Sequence, residues 1–265
     1  MGIRSSEQVN SVGRMVRWPS DVEIGSGGGG GGIPYENVNC VEITAVNSVI
    51  NTYNPVRYNF ERTDPFSLSL WIKSTQTALA WVLGNYASAH GWCINIDTPS
   101  NIPKFTLSNT WGSNQIRVLS TEPIRTGAWV HFVCTYDGSS DAAGVTLYKN
   151  KADVTSAVGV INNLRSTTSS SGDFLIGNYY GNDESLVGKM AQLTLWDKEL
   201  SSAEVTELWA LSDPRELAFA DNMIGFFPLG NMGDDYPVCR NHILGYPSGQ
   251  MINMSSANII AGDAP

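Results

Sequence analysis

Charge is scarce in this 265-residue chain. Asp, Glu, Lys and Arg together make up 15% of it, against about 25% in an ordinary soluble domain. Basic residues are scarcer than acidic ones, 16 against 25, which leaves a net charge of −9. A duplex nucleic-acid partner requires a basic footprint, so none is expected. Long apolar runs are missing too. The run Ala78–Leu83 is six residues long, far short of the ~20 that span a bilayer, and no membrane insertion is expected. The first residues, MGIRSSEQVNSVGRM, lack the apolar centre of a secretory signal. The expectation is a chain made in a cytosol, or one that leaves it without such a signal. Only four cysteines occur, at 40, 93, 134 and 239. They show no C-x-x-C spacing and no neighbouring His pair, which speaks against zinc. Three lie in apolar strand patterns, where a free thiol acts as a small hydrophobe. Spacing alone leaves a disulfide open.

What fills the chain instead is Ser, Thr, Asn and Gly on a 42% hydrophobic background. Such a surface suits extracellular or particle-bound β proteins. At this length roughly three quarters of the unfolded surface can be buried, and an all-β chain of this size often forms one domain.

Strand signals run through most of it. In WVHFVCTY (129–136), Val130, Phe132, Cys134 and Tyr136 share one face, with Trp129, His131, Val133 and Thr135 on the other. A polar turn, Asp137–Asp141, leads to a second strand in which Val145, Leu147 and Lys149 alternate with Thr146, Tyr148 and Asn150. A face that is wholly apolar needs a second sheet to cover it. FSLSLWIK (66–73) alternates strictly, with Phe66, Leu68, Leu70 and Ile72 on one side. Further strands are predicted at 38–44, 56–60, 80–83, 91–96, 104–107, 116–119, 174–177, 187–196, 223–229 and 250–254. In the 187–196 segment, Val187, Ala191, Leu193 and Leu195 are assigned to one face. A Ser/Thr-rich stretch, 166–172, reads as a long loop, and so does 231–240. Short strands at this spacing point to a sandwich or barrel.

One helix is predicted, near 201–211. Ser201-Ser-Ala-Glu204 has the form of a capping box, and Leu200 with Val205 forms the matching hydrophobic staple. Ser212-Asp213-Pro214 ends it. Residues 1–36 differ from everything else. Gly27–Gly32 is six glycines in a row, which hold no regular element unaided. Arg4, Arg14, Arg17 and Trp18 precede them. Two readings stand for this segment: a disordered tail or linker, or an extended arm that orders on a partner. The domain assignment is therefore 1–36 as arm or linker and 37–265 as one folded domain.

The blocks FSLSLWIK, GWCINID (91–97), WVHFVCTYDG (129–138), VTLYKN (145–150), FLIG (174–177) and GKMAQLTLWDKELSSAEVTELW (188–209), in this order, resemble the laminin-G-like branch of the concanavalin A-like jelly rolls. The resemblance covers residues 37–210. It implies an all-β, two-sheet antiparallel jelly-roll sandwich, and it departs at Asn150-Lys151, where the family usually has Asn-Gly, so a different turn is expected there. The tail resembles the closing segment of laminin-G-like proteins encoded by tailed bacteriophages: FFPLG (226–230), GDDYP (233–237) and MINM (251–254) stand where that segment has a Trp-rich strand, a Gly-Asp loop and a Met-Thr-Asn-Met run. Val238–Gly245 departs from that pattern. This second resemblance implies a virion protein, attached through residues 1–36 to a capsid or tail lattice and displayed at the virion surface. Its partners would be major capsid or other virion proteins and further copies of itself, with a trimer as one possibility.

The residues themselves offer little chemistry. The enzymes of this superfamily carry Glu-x-Asp-x-x-Glu on one strand, and that run is absent. Asp183-Glu184 are adjacent, so on a strand they would face opposite ways, unlike the paired carboxyls of retaining glycosidases. The three histidines, His90, His131 and His242, are far apart and no nucleophile elbow is present. No catalytic residue and no required cofactor is assigned. Laminin-G domains sometimes bind calcium at a rim. Asp97, Asp137, Asn178, Asn182 and Asp183 would be the oxygen donors, although turn formation accounts for the same residues. Trp111, Tyr179 and Tyr180 lie in or beside polar loops, where they serve either as glycan-stacking rings or as rim packing. The favoured expectation is thus a non-enzymatic virion protein. The runner-up is a carbohydrate-binding, lectin-like adhesion module of a different system, with the N-terminus as a mere linker and with calcium dependence as one option; a host-surface glycan is a further candidate partner. At the level of stability, replacing the Ser201 cap by Ala should cost about 1 kcal/mol, measured as a fall in the urea midpoint at unchanged slope.

Overall fold

The computed structural model describes residues 38–54, 56–179, 184–231 and 234–265. The arm at 1–36, with Arg4, Arg14, Arg17 and Trp18, lies outside the described residues, as does Tyr180.

The chain runs β1 (Asn39–Ile43), β2 (Val49–Asn51), β3 (Phe66–Lys73), β4 (Ala80–Ala87), β5 (His90–Ile96) and β6 (Pro103–Thr110). It continues through β7 (Asn114–Leu119), β8 (Val130–Tyr136), β9 (Val145–Lys149), β10 (Ala152–Asp153), β11 (Ile161–Asn162) and β12 (Phe174–Ile176). Then follow β13 (Gly188–Trp196), the helix α1 (Ser202–Ala210), β14 (Met223–Phe227), β15 (Val238–Cys239), β16 (Gly249–Ile252) and β17 (Ile259–Ala261). They form two antiparallel sheets. The first has eight strands in the order β10-β9-β8-β3-β13-β1-β17, with β14 also pairing β13. The second has nine, in the order β11-β7-β6-β5-β4-β12-β2-β16-β15. The architecture is the expected jelly-roll sandwich. Among the described residues no helix is long and apolar enough to cross a membrane.

The core forms where the inward faces meet. Phe66, Leu68, Leu70 and Ile72 of β3 join Phe132 and Cys134 of β8 from one sheet; Trp92, Ile94, Phe105, Leu107 and Phe174 enter from the other. Their alternation along each strand is what sends them to one side. Aromatic rings dominate the centre: Phe60 stacks on Phe66 at 4.1 Å between centroids, and Trp92 packs against Phe66 at 5.5 Å and Phe174 at 5.8 Å. The buried Trp92 indole donates its Nε1–H to the Tyr58 carbonyl at 2.7 Å, so no donor is stranded there. All four cysteines are buried free thiols, and burial pushes Cys40 up to about 11.

Four local expectations change. Residues 56–60 form no strand; Val56 is 75% exposed while Tyr58 and Phe60 plug the core from a loop. Their alternation came from core plugging, not from pairing. The 231–240 loop contains β15, which pairs with β16. In β13 the face assignment fails before Gln192. This residue has φ +46°, and the β3 register slips between Ala191 and Thr194. A bulge there adds one residue to the count. Met190, opposite Ile72, therefore reaches the core, whereas Ala191 sits opposite Trp71 on the outer side. Leu193 and Leu195 point inward as expected. Finally, Asn150 and Lys151 adopt φ +48° and +67° in the two-residue β9–β10 turn. The turn keeps the double left-handed form that Asn-Gly favours, with Lys151 under strain in place of glycine.

The helix covers the outer face of the eight-stranded sheet. Ser201 Oγ accepts from the Glu204 amide at 3.3 Å, and Glu204 Oε2 accepts from the Ser201 amide at 2.9 Å. Val205 and Leu208 then pack on Val133, Tyr148, Trp196 and Phe226. On the same side His131 is buried against Trp71, its Nε2 2.9 Å from Ser69 Oγ. Burial lowers its pKa to about 3. Between an unfolded value of about 6.5 and that folded value, only the unfolded chain takes up the proton, so stability falls as pH falls. His131 alone should remove about 2 kcal/mol between pH 7 and pH 5. Urea unfolding of the wild type and His131→Gln at both pH values checks this; equal pH dependence in the two proteins contradicts it.

Candidate functional site

Alternation delivers a second set of residues to the outer face of the nine-stranded sheet. The outward positions of β5 and β6 are Gly91, Cys93 and Asn95, facing Ser108, Thr106 and Lys104 in register. These are small or polar groups, apart from Lys104. Four aromatic rings gather around them, distinct from the sandwich core, with the buried Cys93 beside Trp81, Tyr86 and Tyr179 in one small cluster.

Trp81 is the hub. Its ring lies 4.7 Å from Tyr179 in a stacked arrangement, 5.8 Å from Tyr86 and 6.2 Å from Trp111. Tyr86 completes the set, 5.9 Å from both Trp111 and Tyr179, edge-on to each. Offset and edge contacts of this kind are the favourable geometries for π systems. Glu184 holds the hub in place: the Trp81 indole donates to Glu184 Oε2 at 2.6 Å and the Trp81 amide donates to the Glu184 carbonyl at 2.8 Å. Trp111 rides on the β6–β7 turn, where Gly112 (φ +81°) donates its amide to Gln115 Oε1 at 2.9 Å. It is 42% exposed, whereas Trp81 and Tyr86 are below 10%. One ring of the cluster is therefore open to solvent and the others support it. Lys104 Nζ lies 5.8 Å from the Trp111 ring centroid and is paired with Asp97 at 2.7 Å. Burial raises the Tyr86 and Tyr179 hydroxyls, with Cys93 adding to the effect in both, so both stay neutral donors at physiological pH.

The structure thus brings Trp111 and Tyr179 to one place, across 68 positions of sequence. The members missed in the sequence are Trp81 and Tyr86. They are five residues apart, and strict alternation would put them on opposite faces. The register of β4 on β5 slips between Trp81 and Leu83; this bulge returns both to the same side. The signal available in sequence was the density of aromatics in 81–86, not their period.

The other sequence candidates do not join this site in a common arrangement. Asp97 is paired with Lys104, Asp137 Oδ1 accepts from the Ser139 amide at 2.8 Å, and Asn178 Oδ1 accepts from the Tyr179 amide at 2.6 Å. Each is engaged in a local turn or ion pair. Asn182 and Asp183 lie outside the described residues. Among the described residues no three His, Cys, Asp or Glu side chains form a metal-binding group.

The sequence profile of the concanavalin A-like lectin/glucanases superfamily (Laminin_G_3) matches residues 47–206. A solved structure from Bacteroides ovatus, provisionally described as a carbohydrate binding protein, superposes with a TM-score of 0.61 at 18% identity. That match covers 86% of this chain and 61% of the other, so the chain spans about three fifths of that protein's length. A heptameric SAP-like pentraxin from Limulus polyphemus gives a TM-score of 0.45 at 16% identity over 65% of this chain and 81% of its own. Botulinum neurotoxin type C, whose cell entry depends on interaction with two ganglioside molecules, gives 0.47 at 16% over 66% and 42%. No curated protein matches the sequence significantly. With well over half of its length matched by the profile and its two sheets in place, the chain belongs to the concanavalin A-like lectin/glucanases superfamily.

Proposed function

We propose that this chain is a non-enzymatic carbohydrate-binding module, and that the aromatic cluster on the nine-stranded sheet is its ligand face. The observation that carries this is Trp111, a solvent-open indole held against Trp81 and Tyr86, which Tyr179 backs in turn. An indole face presented flat and rigid suits the apolar face of a sugar ring, and little side-chain entropy is lost when it stacks. The β6–β7 turn that carries Trp111 also exposes Thr110 and Ser113, whose hydroxyls are of the kind that orient sugars. The non-enzymatic part rests on the same face. The outward strand positions of β5 and β6 carry no carboxylate, and of the acids near the cluster Asp97 is engaged by Lys104 and Glu184 by Trp81, which leaves Asp173 without a second free carboxyl beside it among the described residues. A retaining hydrolase needs two free carboxyls about 5–5.5 Å apart.

A second reading concerns where the module is used. We propose display on a virus particle, with residues 1–36 as the attachment arm and a host-surface glycan as ligand. Its support is the tail resemblance together with the placement of that tail: 223–227 pairs with β13 in one sheet and 249–252 with β2 in the other. The segment closes both sheets, as its counterpart in phage laminin-G-like proteins would.

Two measurements separate the readings. Trp111→Ala and Tyr179→Ala should each weaken glycan binding by about tenfold, the effect of losing ~1.4 kcal/mol of contact, while Trp111→Ala leaves the thermal midpoint within a few degrees. Unchanged retention of both variants on a glycan surface contradicts the binding reading. Deleting residues 1–32 should leave the circular dichroism spectrum intact and abolish co-sedimentation with particles. Full particle occupancy by the deleted protein contradicts the display reading.

A further inference from the structure

An open cleft of about 420 Å³ adjoins the aromatic cluster and shares Tyr86 and Tyr179 with it. Its other walls are polar, with Asn51, Ser88, Ser171 and Asp173 among them. The sheet register builds its floor: Asn51 of β2 lies opposite Leu175 of β12, and Leu175 lies opposite the bare Gly84 of β4. Asn51 is fixed at both ends of its amide. Its Oδ1 accepts from the Tyr53 amide at 2.7 Å and its Nδ2 donates to Asp173 Oδ2 at 3.1 Å. The second carboxylate oxygen, Asp173 Oδ1, takes no hydrogen bond from a described residue. Among the described residues no Lys, Arg or His lines the cleft.

We infer that this cleft is a second sugar subsite continuous with the aromatic face, and that Asp173 makes the site selective for uncharged glycans over those bearing carboxylate or sulfate. This rests on the carbohydrate-binding reading and names the ligand class within it. An ionised carboxylate with an open oxygen is an acceptor only, and sugar hydroxyls are donors that form charge-assisted bonds to it. An acidic sugar would instead bring a like charge to a wall with no cation to offset it, and juxtaposed like charges reject wrong partners strongly. The chain's net charge of −9 acts in the same direction. Tyr86 and Tyr179 belong to both parts, so a ring stacked on the cluster has its neighbour directed toward the cleft. An oligosaccharide gains from both parts, and a monosaccharide from one.

The test is isothermal titration of the full chain with two probe panels. The neutral panel is cellohexaose, xylohexaose, maltohexaose and mannohexaose; the acidic panel is hexagalacturonate and a sulfated heparin hexasaccharide. At least one neutral probe should bind about tenfold more tightly than either acidic one. Asp173→Asn, which keeps the shape and an acceptor for Asn51, should weaken the neutral probe severalfold and narrow the neutral-to-acidic ratio. Ser171→Trp, which fills the cleft from an exposed position, should weaken the hexasaccharide and leave the corresponding monosaccharide unchanged. Neutral binding that depends on Trp111 but is indifferent to both cleft variants overturns the second subsite and leaves the aromatic site standing. Tighter binding of an acidic probe overturns the selectivity. Absence of binding by every probe overturns the subsite and the reading it rests on.

Discussion

The burial of Phe66, Trp92 and Phe174 between the two sheets is the constraint on which everything else depends. Truncating a fully buried aromatic to alanine typically costs about 3–5 kcal/mol, against about 1 kcal/mol for a helix cap. The rings therefore fix the register of β3, β5 and β12, and helix and turns adjust to it. Once Trp92 and Ile94 face inward, Gly91, Cys93 and Asn95 must face outward. The outer face of the sheet is a consequence of how its inner face is filled.

The two sheets treat their outer faces differently. The eight-stranded sheet covers its own with α1 and the residues around Trp196 and Phe226, which adds a second apolar cluster and removes that face from contact with ligands. The nine-stranded sheet gathers aromatics on its outer side instead, around a hub fastened by Glu184. A rigid scaffold with one covered and one decorated face suits a binding module, because a preorganised site loses less entropy on association. A different clamp holds one end of the central strands β3 and β13 of the eight-stranded sheet. Asp263 accepts from Lys73 and Lys189 at 2.9 and 2.6 Å and from the Trp129 indole at 3.1 Å. These bonds hold its carboxyl far below the usual carboxylate range.

Much of the sandwich was legible in the sequence because period-two patterns are strong wherever one face is apolar. β3 and β8 were readable residue by residue, and the Ser201–Glu204 box marked the helix start. The failures share a cause. At Gln192 in β13 and between Trp81 and Leu83 in β4, a bulge resets the phase, and counting by two misassigns every residue on one side of it. The first bulge concealed Met190 from the core. The second concealed Trp81 and Tyr86 from the site. Tyr58 and Phe60 mimicked a strand because a loop that plugs the core also buries alternate residues. Trp111 and Tyr179 were identifiable as loop aromatics, but their meeting on Trp81 is a product of tertiary register that no local pattern carries.

The central claim is that a glycan lies on the Trp81–Trp111 face. Titrating the ¹⁵N-labelled protein with a neutral hexasaccharide, and following the indole N–H signals assigned by single Trp→Phe substitutions, tests it most directly. The account predicts saturable shifts at Trp111 and Trp81, with Trp92 and Trp196 in the interior unmoved. Shifts confined to Trp71 in β3, Trp129 just before β8 or Trp209 in α1, all belonging to the opposite layer, would contradict it.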